Sequence, residues 1–179
     1  MKDGLFKTIL YTIIGIGIMT TIMTLTSITT PFEGVYIQFA YGYLALFAGV
    51  AGAIPAAIVG FTGHILFDLI YTDHLWLSWA LSSGALGFVF GFAIRRKSLR
   101  QGVFSQHDMI RFNVVQAVVN IAIFGLIAPT LDVLFYQHST TIVFTQGWIA
   151  SIINLLTVAV FGTITLKLYA NYKLKQNKQ

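Results

Sequence analysis

Long apolar stretches separated by short polar segments dominate this sequence. A helix needs about 20 mostly apolar residues to cross the hydrocarbon core of a bilayer. Six stretches approach that length: Leu5–Ile28, two segments within Tyr36–Ile70 divided near Gly52–Pro55, Leu75–Ile94, Met109–Phe135 and Gln146–Tyr169. The pattern predicts an all-α integral membrane protein, with residues 1–179 forming one domain of six transmembrane helices.

The division within Tyr36–Ile70 is predicted from length. A single helix over this range would extend about 52 Å, well beyond a core of about 30 Å. A break near Gly52–Pro55 gives two helices of suitable length. The alternative is one long helix that Pro55 only kinks.

Composition supports the membrane prediction and narrows the chemistry. Only 9% of residues are charged and 56% are hydrophobic, whereas soluble domains carry about 25% charged residues. The first stretch is too long for the apolar region of a cleaved signal peptide, which spans about 7–15 residues. The chain has no cysteine, which excludes disulfides, thiolate metal sites and a cysteine nucleophile.

The net charge of +5 is distributed as a topology signal rather than as a nucleic-acid surface. Basic residues form three groups: Lys2 and Lys7; Arg95, Arg96, Lys97 and Arg100; and Lys167, Lys173, Lys175 and Lys178. Lys and Arg are enriched in cytoplasmic segments. If all three groups are cytoplasmic, the number of crossings between successive groups is even. Six helices with both termini in the cytoplasm meet this condition, and nucleic acid is not a predicted partner.

Two ionisable residues, His64 and Asp68, are four positions apart and so share one face of the third predicted helix. Ionisable side chains inside a membrane usually face protein or a water-filled cavity. Three interpretations stay open: a hydrogen bond that braces the helix, direct contact with a ligand, or a metal site. A metal site would need further ligands, because zinc normally takes three or four from the protein.

Amide side chains mark the last two predicted helices. Asn113, Gln116 and Asn120 form one helical stripe, which either joins helices by hydrogen bonds or lines a polar path to a site. Asn154, near the middle of the sixth helix, requires a partner inside the bundle. Asp132 would suit a cationic or hydrogen-bond-donating group of a ligand.

Aromatic and polar residues collect at the predicted outer face, as a site for a small, flat, hydrogen-bonding molecule requires. The alternative is an aromatic belt at the membrane surface without a ligand. The predicted substrate-binding residues are Phe32, Glu33, Tyr36, His64, Asp68, Trp76, Trp79, Asn120, Asp132, Gln146 and Asn154.

The motifs of common enzyme sites are missing from the sequence. It contains no G-x-S-x-G, no H-E-x-x-H and no phosphate-binding P-loop. The sequence therefore predicts no catalytic residue, no metal site and no cofactor bound by this chain. Any ATP-driven transport would take its energy from other subunits.

Several longer runs carry a family resemblance over about residues 26–170. They read TTPFEGVYIQFAYGYLALFAGVAGAIPAAIVGFTGHILFDLI, WLSWALSSGALGFVFGF, FNVVQAVVN, APTLDVLFY and FTQGWIASIINLLTVAVFGTITLKLYA. Together they resemble a family of small bacterial membrane proteins grouped with the S components of energy-coupling factor (ECF) transporters.

The resemblance implies a function and a set of partners. S components are six-helix proteins of the bacterial cell membrane that bind vitamins from outside, in a pocket built from helices four to six and the first, third and fifth loops. They work with a transmembrane T subunit and two ATPase subunits, which use ATP and Mg. Implied substrates are pyridoxine-like vitamers and hydroxymethylpyrimidine, with cobalamin as a further candidate.

The resemblance also implies a docking surface on the first helix. Many S components contact the T subunit through an A-x-x-x-A pair there. The corresponding stretch here, TIIGIGIMTTIM, offers Gly15, Gly17 and Thr21 as small residues, and Gly17 and Thr21 keep the four-residue spacing.

Two other functions follow from the residues themselves. A self-sufficient, proton-coupled secondary carrier would use His64, Asp68 and Asp132 as proton sites. A membrane enzyme would use the His64–Asp68 pair, although the sequence offers it neither a nucleophile nor a complete metal set.

Overall fold

The computed structural model describes residues 2–72 and 74–178, so Asp73, expected in the second outer loop, lies outside the described residues. The apolar stretches form helices, and the chain is an all-α membrane protein apart from one two-stranded ribbon. The first half contains α1 (Lys2–Thr26), β1 (Ile28–Thr29), β2 (Tyr36–Ile37), α2 (Ala40–Ala51), α3 (Ala53–Phe67) and α4 (Leu77–Ala93). The second half contains α5 (Arg96–Arg100), α6 (Gln106–Asn120), α7 (Ala128–Tyr136), α8 (Thr140–Thr157) and α9 (Thr163–Gln176).

Wide π-helical segments continue or join some of these helices without ending them. They cover Asp68–Thr72, which extends α3, Ile121–Ile127, which joins α6 to α7, and Val158–Gly162, which joins α8 to α9. The fifth and sixth predicted helices are therefore continuous over Gln106–Tyr136 and Thr140–Gln176. Both helices are longer than the apolar stretches that predicted them, Met109–Phe135 and Gln146–Tyr169.

Among the described residues, four helices are long and apolar enough to cross a membrane: Gly4–Thr26, Ala53–Thr72, Gln106–Tyr136 and Thr140–Gln176. Two apolar helices, α2 and α4, are shorter. The 12 residues of α2 extend only about 18 Å. Tyr36 and Ile37, predicted as the start of this helix, instead form β2 and pair with β1.

The chain reverses direction at Gly52, between α2 and α3. Tyr41 lies 3.4 Å from His64, and Leu44 packs beside Gly60, so residues equally distant from Gly52 meet in an antiparallel pair. Gly52 has φ 103° and ψ −177°, a conformation that is essentially restricted to glycine. Pro55 does not kink a helix but lies in the first turn of α3, where its missing N–H costs no hydrogen bond.

Small residues allow α3 and α4 to pack closely along their length. A Cβ atom added to Gly60 would lie 2.4 Å from the Ser83 carbonyl oxygen, and one added to Gly87 would lie 2.4 Å from the Ala56 carbonyl oxygen. At Gly91 an added Cβ would lie 2.3 Å from the Ala53 Cα. Close backbone approach of this kind is how helices pack in lipid.

The bundle has two chemically different ends. The basic end, defined by the Gly52 turn and the Arg95–Arg100 segment, is held together by Arg96 and Arg100, which both donate to the Val50 carbonyl oxygen. The first residues of α1 and the last residues of α9 lie at this end: α1 runs parallel to α3, since Gly15 packs beside Val59, and Gly102 packs against Leu174 of α9. The opposite end, called the cavity end here, carries the β1–β2 ribbon and the α3–α4 connection.

The bundle interior is aromatic and aliphatic. Phe67, Phe90, Phe112 and Phe124 are among its largest fully buried side chains. The rings of Phe90 and Phe112 meet edge to face, with centroids 5.6 Å apart. This packing joins α4 to α6 below the cavity end.

We expect Gly52→Ala to lower the free energy of unfolding by about 1–3 kcal/mol, because alanine would be held in a glycine-only conformation. An added Cβ would also lie 2.4 Å from the Arg96 guanidinium. Thermal unfolding of the purified protein in detergent measures this effect. Gly17→Ala is the control, since a Cβ there would have no other described atom within 4 Å; equal melting temperatures of the two variants would contradict the prediction.

Candidate functional site

A cavity of about 240 Å³ lies at the cavity end of the bundle. Its walls come from the loop before α2, from α2 to α4, and from α8. The described lining residues are Glu33, Gly34, Val35, Tyr36, Gln38, Tyr41, His64, Phe67, Asp68, Thr72, His74, Trp76, Trp79, Gln146, Ala150 and Asn154. The cavity is partly enclosed and combines aromatic surfaces with a few polar groups, as small-molecule sites do.

The roof of the cavity is the β1–β2 ribbon and its connecting turn. Gln146 of α8 donates from Nε2 to the Glu33 carbonyl oxygen at 2.8 Å. Gln38 donates from Nε2 to the Ser27 hydroxyl, also at 2.8 Å. Gly34, with φ 72°, makes the tight turn that brings Glu33 over the opening.

Aromatic rings form the walls. Tyr36 meets Phe67 edge to face, with centroids 6.0 Å apart, and Phe67 stacks on Tyr71 at 5.1 Å. Trp76 packs edge to face against Tyr136 at 5.5 Å. Partial burial raises the pKa of the Tyr36 hydroxyl, and the neighbouring Tyr71, Asp68 and Glu33 raise it further, so Tyr36 offers a neutral O–H at neutral pH.

Asp132 braces the wall from behind rather than lining it. Its carboxylate accepts hydrogen bonds from the Ser78 hydroxyl and from Trp79 Nε1, the latter at 2.9 Å. Asp132 is fully buried. It was predicted to meet a ligand directly, but it acts on the cavity through Trp79, whose ring it orients.

His64 and Asp68 lie together on the floor, where both line the cavity. His64 Nδ1 is 2.7 Å from the Ser83 hydroxyl oxygen, which is also 3.0 Å from the Tyr41 hydroxyl. His64 Nε2 lies 3.5 Å from Asp68 Oδ1. Asp68 Oδ2 accepts the Trp76 backbone N–H at 2.9 Å. The pair therefore braces α3 against α4 and also lines the cavity. This position is compatible with both the bracing hydrogen bond and the ligand contact that the sequence left open.

The amide stripe of α6 joins helices instead of lining a path. Asn113 donates to the Thr163 hydroxyl at 2.9 Å, and Gln116 donates to the Leu155 carbonyl oxygen at 3.3 Å. Asn120 donates to the Gln116 side-chain oxygen at 3.0 Å. Asn120 was predicted as a ligand contact, but it is fully buried and is not among the described lining residues.

The structure brings eight of the predicted binding residues to the cavity. These are Glu33, Tyr36, His64, Asp68, Trp76, Trp79, Gln146 and Asn154. Phe32, Asn120 and Asp132 are not among the described lining residues. The fifth helical region, Gln106–Tyr136, contributes none of the described lining. The predicted fourth helix contributes Trp76 and Trp79, and the predicted sixth helix contributes Gln146, Ala150 and Asn154.

Sequence reasoning missed half of the lining: Gly34, Val35, Gln38, Tyr41, Phe67, Thr72, His74 and Ala150. One signal was available for Ala150, because Gln146, Ala150 and Asn154 are four apart and share a helical face. Phe67 and Tyr41 resemble ordinary apolar helix residues, and nothing in their spacing marks them.

The three residues predicted to dock a partner lie on different faces of α1. Gly17 and Thr21 are exposed, and Thr21 donates its hydroxyl to the Gly17 carbonyl oxygen at 2.8 Å. Gly15 is buried, and a Cβ added there would lie 2.5 Å from the Phe47 ring. Gly15 therefore packs α1 against the bundle and is not available to a partner.

Within the described residues, no three His, Asp or Glu side chains converge as a metal site would require. The geometry instead offers hydrogen bonds and aromatic contact. Such a geometry suits a small organic molecule, and the described lining contains no Lys or Arg, its basic side chains being His64 and His74.

Comparison with known proteins extends these observations. Residues 5–171 match the protein family described as "ECF-type riboflavin transporter, S component". A UPF0397 protein of Lactococcus lactis subsp. cremoris (strain NZ9000) is 42% identical over 175 residues, covering 98% of this chain and 96% of the relative. A UPF0397 protein of Enterococcus faecalis (strain ATCC 700802 / V583) is 38% identical over 169 residues, covering 92% of each chain.

No solved structure matches the chain. The family match covers nearly the whole sequence, and the relatives match over nearly their whole lengths. The chain belongs to the S component family of ECF-type transporters.

Proposed function

We propose that this protein is the subunit that captures a vitamin or related small nutrient for an ECF transporter of the bacterial cell membrane. The observation that carries the proposal is the cavity of about 240 Å³ at the end of the bundle opposite the basic segments, in a chain of the S component family. Its partners would be a T subunit and two ATPase subunits, which supply ATP hydrolysis with Mg.

The proposed topology follows from the two ends of the bundle. All eleven Lys and Arg residues belong to segments at or near the basic end, which the positive-inside rule assigns to the cytoplasm. Both termini then lie in the cytoplasm, the six apolar helices cross as three antiparallel pairs, and the cavity opens outside. The short α2 suits this arrangement because protein surrounds it: most of its residues, among them Leu44 and Ala48, are buried.

Cysteine labelling tests this topology, because the chain has no cysteine of its own. Gln101 and Ser139 are exposed at opposite ends of the bundle. We expect Ser139→Cys to react with a membrane-impermeant maleimide in intact cells and Gln101→Cys to react only after lysis. Labelling of Gln101→Cys in intact cells would reverse the orientation.

The proposed substrate is a small nitrogen heterocycle, with a pyridoxine-like vitamer or hydroxymethylpyrimidine favoured. The cavity volume of about 240 Å³ lies just below the usual range of about 300–1,000 Å³ for ligand pockets. A single ring between Trp79, Trp76 and Tyr36 would suit this volume, whereas the corrin ring of cobalamin would not. Riboflavin, named in the description of the family, belongs in any binding screen.

Native mass spectrometry of the purified protein tests the binding function by identifying the molecule that co-purifies with it. We expect Trp79→Ala to lower the affinity for that molecule at least about tenfold, because an aromatic contact and its buried area are lost. Trp148→Ala is the matched control, since Trp148 is 43% exposed and is not among the described lining residues. Equal affinities of the two variants would move the site away from this cavity.

Reconstitution separates this proposal from the secondary carrier. The purified chain alone in liposomes should bind the nutrient without transporting it, because it carries no recognisable ATPase motif. Uptake by the chain alone, driven by a proton gradient, would favour the carrier.

The exposed face of α1 around Gly17 and Thr21 is the proposed contact with the T subunit. We expect Gly17→Leu to weaken co-purification of the T subunit while leaving ligand affinity and the melting temperature unchanged. Gly15→Leu, two residues away, should instead lower the melting temperature, because its side chain would collide with Phe47 and Val59. A Gly17→Leu protein that still assembles normally would place the docking surface elsewhere.

A further inference from the structure

Asp68 has a carboxylate oxygen whose hydrogen bonding is unmet. The residue is only 2% exposed, and its Oδ2 accepts the Trp76 N–H. Among the described residues, no N–H or O–H group makes a hydrogen bond to Oδ1. Asp68 lines the cavity, so this oxygen can accept a hydrogen bond from a molecule there.

The His64 tautomer in which Nδ1 carries the proton does not supply this donor. Ser83 has one hydroxyl proton, and the Trp79 carbonyl oxygen lies 3.0 Å away to accept it. With that proton given to Trp79, the Ser83 oxygen accepts from His64 Nδ1–H at 2.7 Å and from the Tyr41 hydroxyl at 3.0 Å. A neutral His64 then presents a lone pair at Nε2. Two acceptors, Nε2 and Asp68 Oδ1, face each other at 3.5 Å.

Asn154 offers a second unmet group on α8. It is 4% exposed and lines the cavity. No hydrogen bond joins its side-chain amide to the described residues, whereas Asn113 and Gln116 donate theirs to other helices. Its amide therefore has a donor and an acceptor available to a molecule in the cavity.

Besides His64 and His74, the described lining has carboxylates as its ionisable acid groups and no permanently charged base. The lining contains the carboxylates of Glu33 and Asp68, and its described residues include no Lys or Arg. The basic segments lie at the other end of the bundle. An anion in this cavity would meet two carboxylates and no Lys or Arg among the described lining residues, and like charges placed together disfavour binding.

We propose that the cavity selects a neutral or cationic heterocycle, which donates a hydrogen bond to Asp68 Oδ1 and His64 Nε2 and pairs with the Asn154 amide, and that it rejects the phosphorylated form of the same ring. This inference rests on the proposed function and specifies its substrate class. An amino, ring N–H, pyridinium or hydroxymethyl group would supply the donor.

Matched pairs of ligands test the charge selection. The probes are pyridoxine, hydroxymethylpyrimidine and riboflavin, each with its monophosphate ester, titrated calorimetrically into the protein in lipid nanodiscs. We expect at least one unphosphorylated probe to bind, and to bind at least about a hundredfold tighter than its ester. Equal or tighter binding of the ester, or binding of none of the probes, would overturn the inference.

Two variants test the assigned contacts on the probe that binds. Asp68→Asn keeps the size of the side chain but replaces one oxygen with a donor, and Asn154→Leu keeps the approximate volume without polar atoms. We expect each to lower the affinity at least about tenfold, and Asp68→Asn to narrow the gap between the probe and its ester. Asp108→Asn is the control, because Asp108 is a similarly buried carboxylate that caps α6 at the basic end. Unchanged affinity in Asp68→Asn would overturn the inference.

The wild-type comparison of probe and ester stands even if a variant fails to fold, which its melting temperature reveals. The outcomes also separate this inference from the proposed function. A co-purifying anionic nutrient, in a chain that still assembles with its T and ATPase subunits, would overturn only the charge selection. A chain that neither binds a nutrient nor assembles would overturn the proposed function.

Discussion

The close approach of α3 and α4 is the contact on which the candidate site depends. Glycines at positions 60, 87 and 91 leave no room for a Cβ between the two backbones. This approach places His64 2.7 Å from Ser83 and lets the Trp76 N–H reach Asp68. In lipid, where apolar surface gains nothing by leaving the solvent, such packing replaces the hydrophobic effect as the force that holds helices together. A bulky residue in this seam would separate the cavity floor from its wall.

Within this frame, buried polar groups fall into two kinds. One kind makes hydrogen bonds to other helices and so holds the bundle together, as do Asp132, Asn113 and Gln116. The other kind borders the cavity and has side-chain polar atoms without a hydrogen-bond partner, as do Asp68 and Asn154. Since an unmet polar group inside a membrane protein is costly, the second kind is the better guide to a binding site. Whether a buried polar residue belongs to the first or the second kind depends on hydrogen-bond partners from distant parts of the chain.

The sequence predicted the membrane class, the helical regions, the reversal near residue 52 and half of the cavity lining. It did so where the signal is local: apolar length, a glycine three residues before a proline, and the four-residue spacing of His64 and Asp68. Asn120 and Asp132, predicted as ligand contacts, are not among the described lining residues, because periodicity shows which residues share a face but not what that face meets. The π-helical segments make this prediction harder, because each wide turn changes the face on which the following residues lie. Asn154 borders the cavity, whereas Thr163, beyond the segment Val158–Gly162, meets Asn113.

The tie between Gln146 and the Glu33 carbonyl has a consequence for access to the cavity. It is a neutral hydrogen bond, which contributes about 0.5–1.5 kcal/mol net. Each strand of the ribbon that it contacts is only two residues long. Further contacts hold the ribbon: Gln38 bonds to Ser27, Thr26 accepts the Phe39 N–H, and Tyr36 packs against Phe67. The mouth of the cavity is thus closed by side chains and single hydrogen bonds, whereas its floor rests on the close packing of two whole helices, so the mouth is the part where a substitution changes access without disturbing the bundle.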